Sequence, residues 1–402
     1  MKRILIYIPL LLTLLACSEE ETGLSGKQPE AAVRVPFSIS VSSATDKGLG
    51  TRANGNAEEL PGISGSSDVD FLKICVFVNE SGEGNDNPEK FLYVPDLVTV
   101  TKQIGEAGEY KAEGYITPVE GKPDATYRIL ALAYKQANES WLDWGKFTEG
   151  VSLQEVTVEL FAGGFTPELF AGYLYKVTED TQASSIDANV EKAVFESIVG
   201  IDGNTKLEGY LFRAVSRVSV ELSDIPDEVE SLSLVSQKYR TSSPVYNSTF
   251  LNELQNLGGA RYYCYPMGSP FESIGESMTT VATVAKNEIT NGKATLQAYF
   301  FPMENYGTVE NRIENRTYFY VDVETGKGKH RLHVKVPDTE PVETIWHGIF
   351  ERLVKSNAFI LRINWQIKLS GSYDTLASGN LLIDEGEMGT AEGGALEPKN
   401  NN

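Results

Sequence analysis

Val33-Arg34-Val35-Pro36-Phe37-Ser38-Ile39-Ser40-Val41 places an apolar residue at every odd position and none between them. A period of two is the mark of a strand with one buried face. Pro36 has no amide to donate, so this strand is expected at a sheet edge, or loosely paired on that side. Alternating or short apolar runs recur downstream: 72–78, 91–94, 97–103, 110–116, 127–134, 156–161 and 168–175. Polar turn residues separate them, which makes an all-β sandwich of residues 33–179, with one short helix expected near 140–147. Residues 180–205 break the period, because Val190, Val194 and Ile198 recur at helical spacing; this stretch reads as a connector with a surface helix. Alternation resumes at 211–222 and continues through 232–235, 261–266, 278–285, 294–301, 316–323, 331–336 and 358–369. The last run is the clearest, with Phe359, Leu361, Ile363, Trp365, Ile367 and Leu369 on one face, after a helical turn or two at 346–354. A second sandwich is therefore expected over 206–384, and residues 385–402 read as a disordered acidic tail. A chain of 402 residues suits two such domains.

Working toward the N-terminus, residues 17–32 are polar and acidic and read as a flexible tether. Lys2 and Arg3 precede an apolar run from Ile4 to Leu15, about 18 Å long as a helix and too short for a hydrocarbon core of about 30 Å. Residues 1–16 are thus an export signal. The run closes on Leu14-Leu15-Ala16-Cys17, which resembles a bacterial lipobox and makes Cys17 the lipidated first residue of the mature chain. Ser18-Glu19-Glu20-Glu21 behind it is similar to the signal that sends lipoproteins of the Bacteroidota to the outer face of the outer membrane.

Charge and composition remove several function classes. The 35 Lys and Arg against 56 Asp and Glu give a net charge of −21, and loss of the leader with its two cations makes this −23. Such a chain repels phosphate backbones, so no nucleic-acid partner is expected, and acyl chains rather than charge would hold it to a membrane. Three histidines and three cysteines leave little for a zinc site or a His-centred triad. His330 and His333 would point to opposite faces of a strand, and His347 stands alone. Cys75 and Cys264, each in an apolar run, are expected as buried free thiols. A calcium reading of Gly84-Asn85-Asp86-Asn87 lacks the ligand spacing of a known loop. No nucleophile elbow, phosphate loop or Cys-x-x-Cys occurs, and no catalytic residue, metal or cofactor is assigned. Trp141-Leu142-Asp143-Trp144 admits two readings, a local packing motif or a platform for sugar stacking.

The alternating strand, Thr51-Arg52-Ala53 in a polar loop, Leu72-Lys73-Ile74-Cys75-Val76-Phe77-Val78, Tyr127 to Tyr134, Thr166 to Gly172 and Leu211 to Val218 follow one another in an order that resembles the fimbrillins, the type V pilin subunits of Bacteroidales. The resemblance covers residues 1 to about 220 and implies two tandem transthyretin-like Greek-key sandwiches with short accessory helices. It implies a surface lipoprotein whose first strand is cut away after an arginine and replaced by a strand from another fimbrial subunit. Arg52 is the processing candidate, ahead of Arg34, and Val35, Phe37, Ile39 and Val41 form the apolar face of the released or self-complementing strand. Burying a Phe, an Ile and three Val side chains is worth on the order of 10 kcal/mol before ordering costs.

One departure bears on the role. After Leu369 the sequence offers only Leu381-Leu382-Ile383, not a long apolar donor strand, which favours a tip or minor subunit, then an anchor, over a shaft. The ligand for adhesion is unspecified. The alternative is a surface glycan-binding lipoprotein, which exposed Trp141 and Trp144 would favour. Asp374-Thr375-Leu376 resembles a short O-glycosylation sequon of the same phylum.

Overall fold

The computed structural model describes residues 35–41, 70–81, 89–93, 97–102, 110–162, 164–184, 186–245, 274–275, 277–301, 303–304, 306–307, 314–315, 317–334, 360–361, 365–378 and 382–387. Cys17, Arg34, Arg52, the Gly84–Asn87 stretch, Cys264, His347 and the expected helix at 346–354 lie outside them.

In the first half the strands are β1 (Val35–Val41), β2 (Phe71–Asn79), β3 (Lys90–Tyr93), β4 (Leu97–Lys102), β5 (Tyr110–Ile116), β6 (Thr126–Tyr134), β7 (Leu142–Asp143), β8 (Thr157–Leu160) and β9 (Phe170–Lys176). Helices α1 (Glu179–Ala183) and α2 (Ile186–Phe195) lead to β10 (Ile198–Val199) and β11 (Leu207–Arg213). Nine of these strands form one sheet in the order β3-β2-β6-β9-β11-β1-β5-β4, with β10 beside β6. It closes over a core that takes Ile74 from β2, Ile129 from β6, Val35, Phe37 and Ile39 from β1, and Leu211 from β11. The opposite faces of β2, β6 and β9 are covered as well, where Phe77, Leu130, Leu132 and Tyr173 meet Leu142, Leu153 and Val156. Burial on both faces explains why β6 reads as a continuous apolar run rather than an alternating one.

The second half contains β12 (Ser216–Ser223), β13 (Val229–Gln237), β14 (Tyr239–Arg240), β15 (Ser242–Pro244), β16 (Ile274–Gly275), β17 (Thr279–Ala285) and β18 (Ala294–Phe300). It continues with β19 (Met303–Glu304), β20 (Tyr306–Gly307), β21 (Glu314–Asn315), β22 (Tyr318–Thr325), β23 (Gly328–Val334), β24 (Ile360–Leu361), β25 (Trp365–Ser372), α3 (Tyr373–Ser378) and β26 (Leu382–Glu387). Sheets β18-β12-β25-β26 and β17-β13-β22-β23 share one core. Val218, Val220, Leu296, Ile367 and Leu369 of the first pack with Leu232, Leu234, Phe319 and Val321 of the second, and Phe300 meets Phe319 edge-on at 5.4 Å. The all-β reading thus holds.

Several expectations are corrected. Residues 211–222 are not one strand: the chain breaks at Ala214 and Val215, both fully buried, and β11 completes the first sheet before β12 opens the second. The helix placed at 140–147 is a 3-10 turn at Gln136–Trp141 followed by β7. β26 runs to Glu387, three residues into the stretch read as a disordered tail. This strand, last in its sheet among the described residues, is held by backbone pairing to β25, so its acidic sequence does not prevent it from forming.

The connector helix does form. Val190 and Val194 of α2 are buried while Lys192 and Glu196 are exposed, as an amphipathic helix requires. Arg128 of β6 closes its C-terminal end by donating from Nη1 to the carbonyls of Ala193, at 3.1 Å, and Val194.

Buried acids in the first half set an alkaline limit on stability. Burial pushes the Cys75 thiol from 9.0 up to about 12. It also lifts the phenols of Tyr134, which donates to Glu139, and of Tyr175, which lies beside Glu208. Each group keeps a proton in the fold that the unfolded chain would release. This stabilisation is complete below pH 9 and is lost as the pH rises toward 12. Urea midpoints should therefore fall across that window, with Cys75 unreactive to thiol reagents below it; a flat midpoint would contradict this assignment.

Candidate functional site

The site is the slot that holds β1. The strand lies inside the sheet, antiparallel to β5 from Val35↔Ile116 to Val41↔Tyr110, and parallel to β11 from Phe37↔Leu207 to Val41↔Leu211. An edge position is thereby overturned, while the looser pairing expected at Pro36 is met. The β11 register begins one residue after Pro36, so its missing donor falls where β11 supplies no partner. Val35, Phe37 and Ile39 are buried, Ser38 and Ser40 are half-buried, and Pro36 is exposed. The alternation is thus realised from Val35 to Ser40.

The slot is shaped by its neighbours. Gly114 of β5 lies opposite Phe37, and a Cβ there would stand 2.7 Å from ring atom Cε1 and closer still to Cζ. The ring occupies the space that any larger residue would fill. Gly209 of β11 pairs with Ile39 on the other flank, where an added Cβ would run into Leu174. Gly114 thus makes room for Phe37 of β1, and Gly209 for Leu174 of β9. Burying Val35, Phe37 and Ile39 stabilises the assembly by about 5–9 kcal/mol before entropy. Withdrawal of β1 would bare that apolar floor and leave the facing backbone groups of β5 and β11 without partners. Chemically, the slot recognises an extended strand with apolar residues at alternate positions.

The other candidate residues separate. Trp144 stacks on Tyr134 at 5.8 Å and meets Phe147 at 5.2 Å, Lys73 Nζ lies 4.2 Å from its ring centre, and its Nε1 is buried without a partner. Trp141 is half-buried and stands edge-on to Phe165 at 5.4 Å. The two tryptophans do not form a shared platform, and at Trp144 the packing reading prevails. His330 Nε2 lies 3.2 Å from the Tyr373 hydroxyl while His333 packs on Tyr320 at 5.2 Å, each engaged separately. Among the described residues no group of three or more His, Cys, Asp or Glu is placed to hold a metal ion. Cys75 is a buried free thiol.

The ion pair between Arg213 and Glu168 escaped the sequence reading. Arg213 ends β11 and Glu168 precedes β9, and their side chains meet at 2.6 Å and 2.8 Å. Nothing in the spacing of two residues 45 positions apart marks them as partners.

No family model and no curated protein matches the chain. Solved structures do show similarity. The tip fimbrial protein Mfa3 of Porphyromonas gingivalis is 10% identical over 88% of this chain and 99% of its own, with a TM-score of 0.37. The fimbrial anchor protein Mfa2 of the same organism is 12% identical over 87% of this chain and 94% of its own, with a TM-score of 0.35. A fimbrial assembly protein of Parabacteroides distasonis is 12% identical over 89% of this chain and 96% of its own, with a TM-score of 0.37. At scores below 0.5 the strand arrangement, not the likeness, carries the functional reading. The solved neighbours of this chain include fimbrial proteins and candidate adhesins of Bacteroidales, in line with the fimbrillin resemblance of its sequence.

Proposed function

We propose that this chain is a non-enzymatic structural and adhesion subunit of a fimbrium, and that β1 is its exchangeable strand. One observation carries the reading: the first strand of the fold fills an interior slot between β5 and β11, with its apolar side chains in the core. Only its C-terminal end needs to be cut for it to leave, since what precedes it is leader and tether. Release would open a vacancy that a strand from another fimbrial subunit fills. The polar loop after β1 supplies Arg52 for the cut, and Cys17 supplies the lipid that carries the chain to the outer face of the outer membrane. β26, the last strand among the described residues, supports a receiving role, tip or minor subunit ahead of anchor and shaft. β26 is engaged with β25 in its own sheet from Trp365↔Glu387 to Ser370↔Leu382, and it is rich in acids rather than alternately apolar.

Intact mass and N-terminal sequencing of the surface protein, before and after an Arg-specific protease, test this. The expected product begins at Ala53, forms oligomers, and is absent from Arg52→Ala. A chain that keeps its lipid at Cys17 and its first strand after treatment would instead be an anchor or a free-standing lipoprotein.

A further inference from the structure

Where the two halves meet, a cleft of about 350 Å³ is left open, within the size range of small-molecule sites. The strand mechanism makes no use of it. Trp141 and Phe165 of the first half line it, set edge to face at 85°, and Tyr299 of β18 supplies a third ring from the second half. An antiparallel bridge between Thr166 and Tyr299 ties the halves together at this point. Asn138 is half-buried and Gln297 exposed, and the Gln297 amide donates to the Tyr299 hydroxyl at 3.3 Å.

Thr166, another lining residue, is only 6% exposed, and its hydroxyl has no hydrogen-bond partner. A buried hydroxyl left unpaired is unfavourable, and a side-chain shift that opened it to the cleft would let a ligand hydroxyl pair with it. The lining carries one cation, Lys135, and one anion, Glu168, whose carboxylate is held by Arg213 at 2.6 Å.

We propose that this cleft binds a neutral saccharide of one or two sugar rings. Aromatic rings accept the apolar C–H face of a sugar and amides satisfy its alcohols, recognition that needs no charge on the ligand. The ligand touches both halves at once. This inference does not rest on strand exchange and stands whether or not the chain enters a fibre.

The test is tryptophan fluorescence and saturation-transfer NMR on the full chain with cellobiose, maltose, lactose and diacetylchitobiose, and with sialyllactose as the charged comparison. At least one neutral disaccharide should saturate the protein. Gln297→Ala, at an exposed rim position that the fold tolerates, and Trp141→Ala should each weaken binding about tenfold. Sialyllactose should bind no better than lactose, and Arg52→Ala should bind as the unaltered chain does, which separates this outcome from that of the strand reading. Saturation by none of the neutral sugars overturns the proposal, as does binding that both cleft variants leave unchanged. Preference for a peptide library over every sugar would also overturn it.

Discussion

Phe37→Ala is expected to lower the unfolding free energy by about 3–5 kcal/mol, the usual loss when a large aromatic leaves a cavity in a core. Phe37 is 3% exposed and sits over Gly114, which has no side chain to move into the vacated space. Its other core neighbours belong to strands fixed on both sides, so collapse around the hole is restricted. Ser40→Ala, on the half-buried face of the same strand, should change stability by less than about 0.5 kcal/mol. Urea unfolding of the full chain measures both. Hydrogen exchange adds a local readout, since a loosened β1 should raise exchange along β5 and β11 before the second sandwich responds. A loss below about 1 kcal/mol for Phe37→Ala would mean that β1 is not held by its side chains, and the slot reading would fail with it.

Arg213→Ala should be comparably severe, about 3–5 kcal/mol, for an electrostatic reason. The side chains of Arg213 and Glu168 are 5% and 13% exposed, and the guanidinium also lies 5.0 Å from the Phe170 ring centre. Removing the cation strands a carboxylate in an environment that already disfavours charge: at neighbouring Arg217, burial holds the guanidinium below its ordinary range. The double replacement Arg213→Met with Glu168→Leu should recover most of the loss, because the buried carboxylate goes with the cation that paired it. A double-mutant cycle on thermal or urea unfolding gives the coupling directly. If the two single variants and the double variant lost equal amounts, packing rather than the ion pair would hold this junction.

The period of β1 was legible because one of its faces meets the core and the other meets half-exposed serines. Its interior place was not, since a strand's neighbours are set by residues far along the chain, and Pro36 pointed to an edge that the late start of the β11 register makes unnecessary. The break between β11 and β12 was hidden for a different reason. Ala214 and Val215 are as apolar as the strands they separate, so the composition shows no turn where the chain passes from one sheet to the next. β26 was missed because edge pairing depends on the backbone and its acids masked it. Of the cleft, Trp141 drew notice, but Thr166 and Tyr299 converge on it only through the packing of the two halves.

The parallel pairing of β1 with β11 also has a kinetic consequence. Phe37 finds its partner at Leu207, so β1 has no completed berth until most of the first sandwich has been made after it. Contacts so distant in sequence raise the contact order and place the docking of β1 late in folding, after the nearer pairings of β5 with β4 and of β9 with β6. During that interval the berth is vacant and its apolar floor is open to water. A newly made chain should therefore pass briefly through a state in which the berth is open to a foreign strand, with no bond in the chain cut.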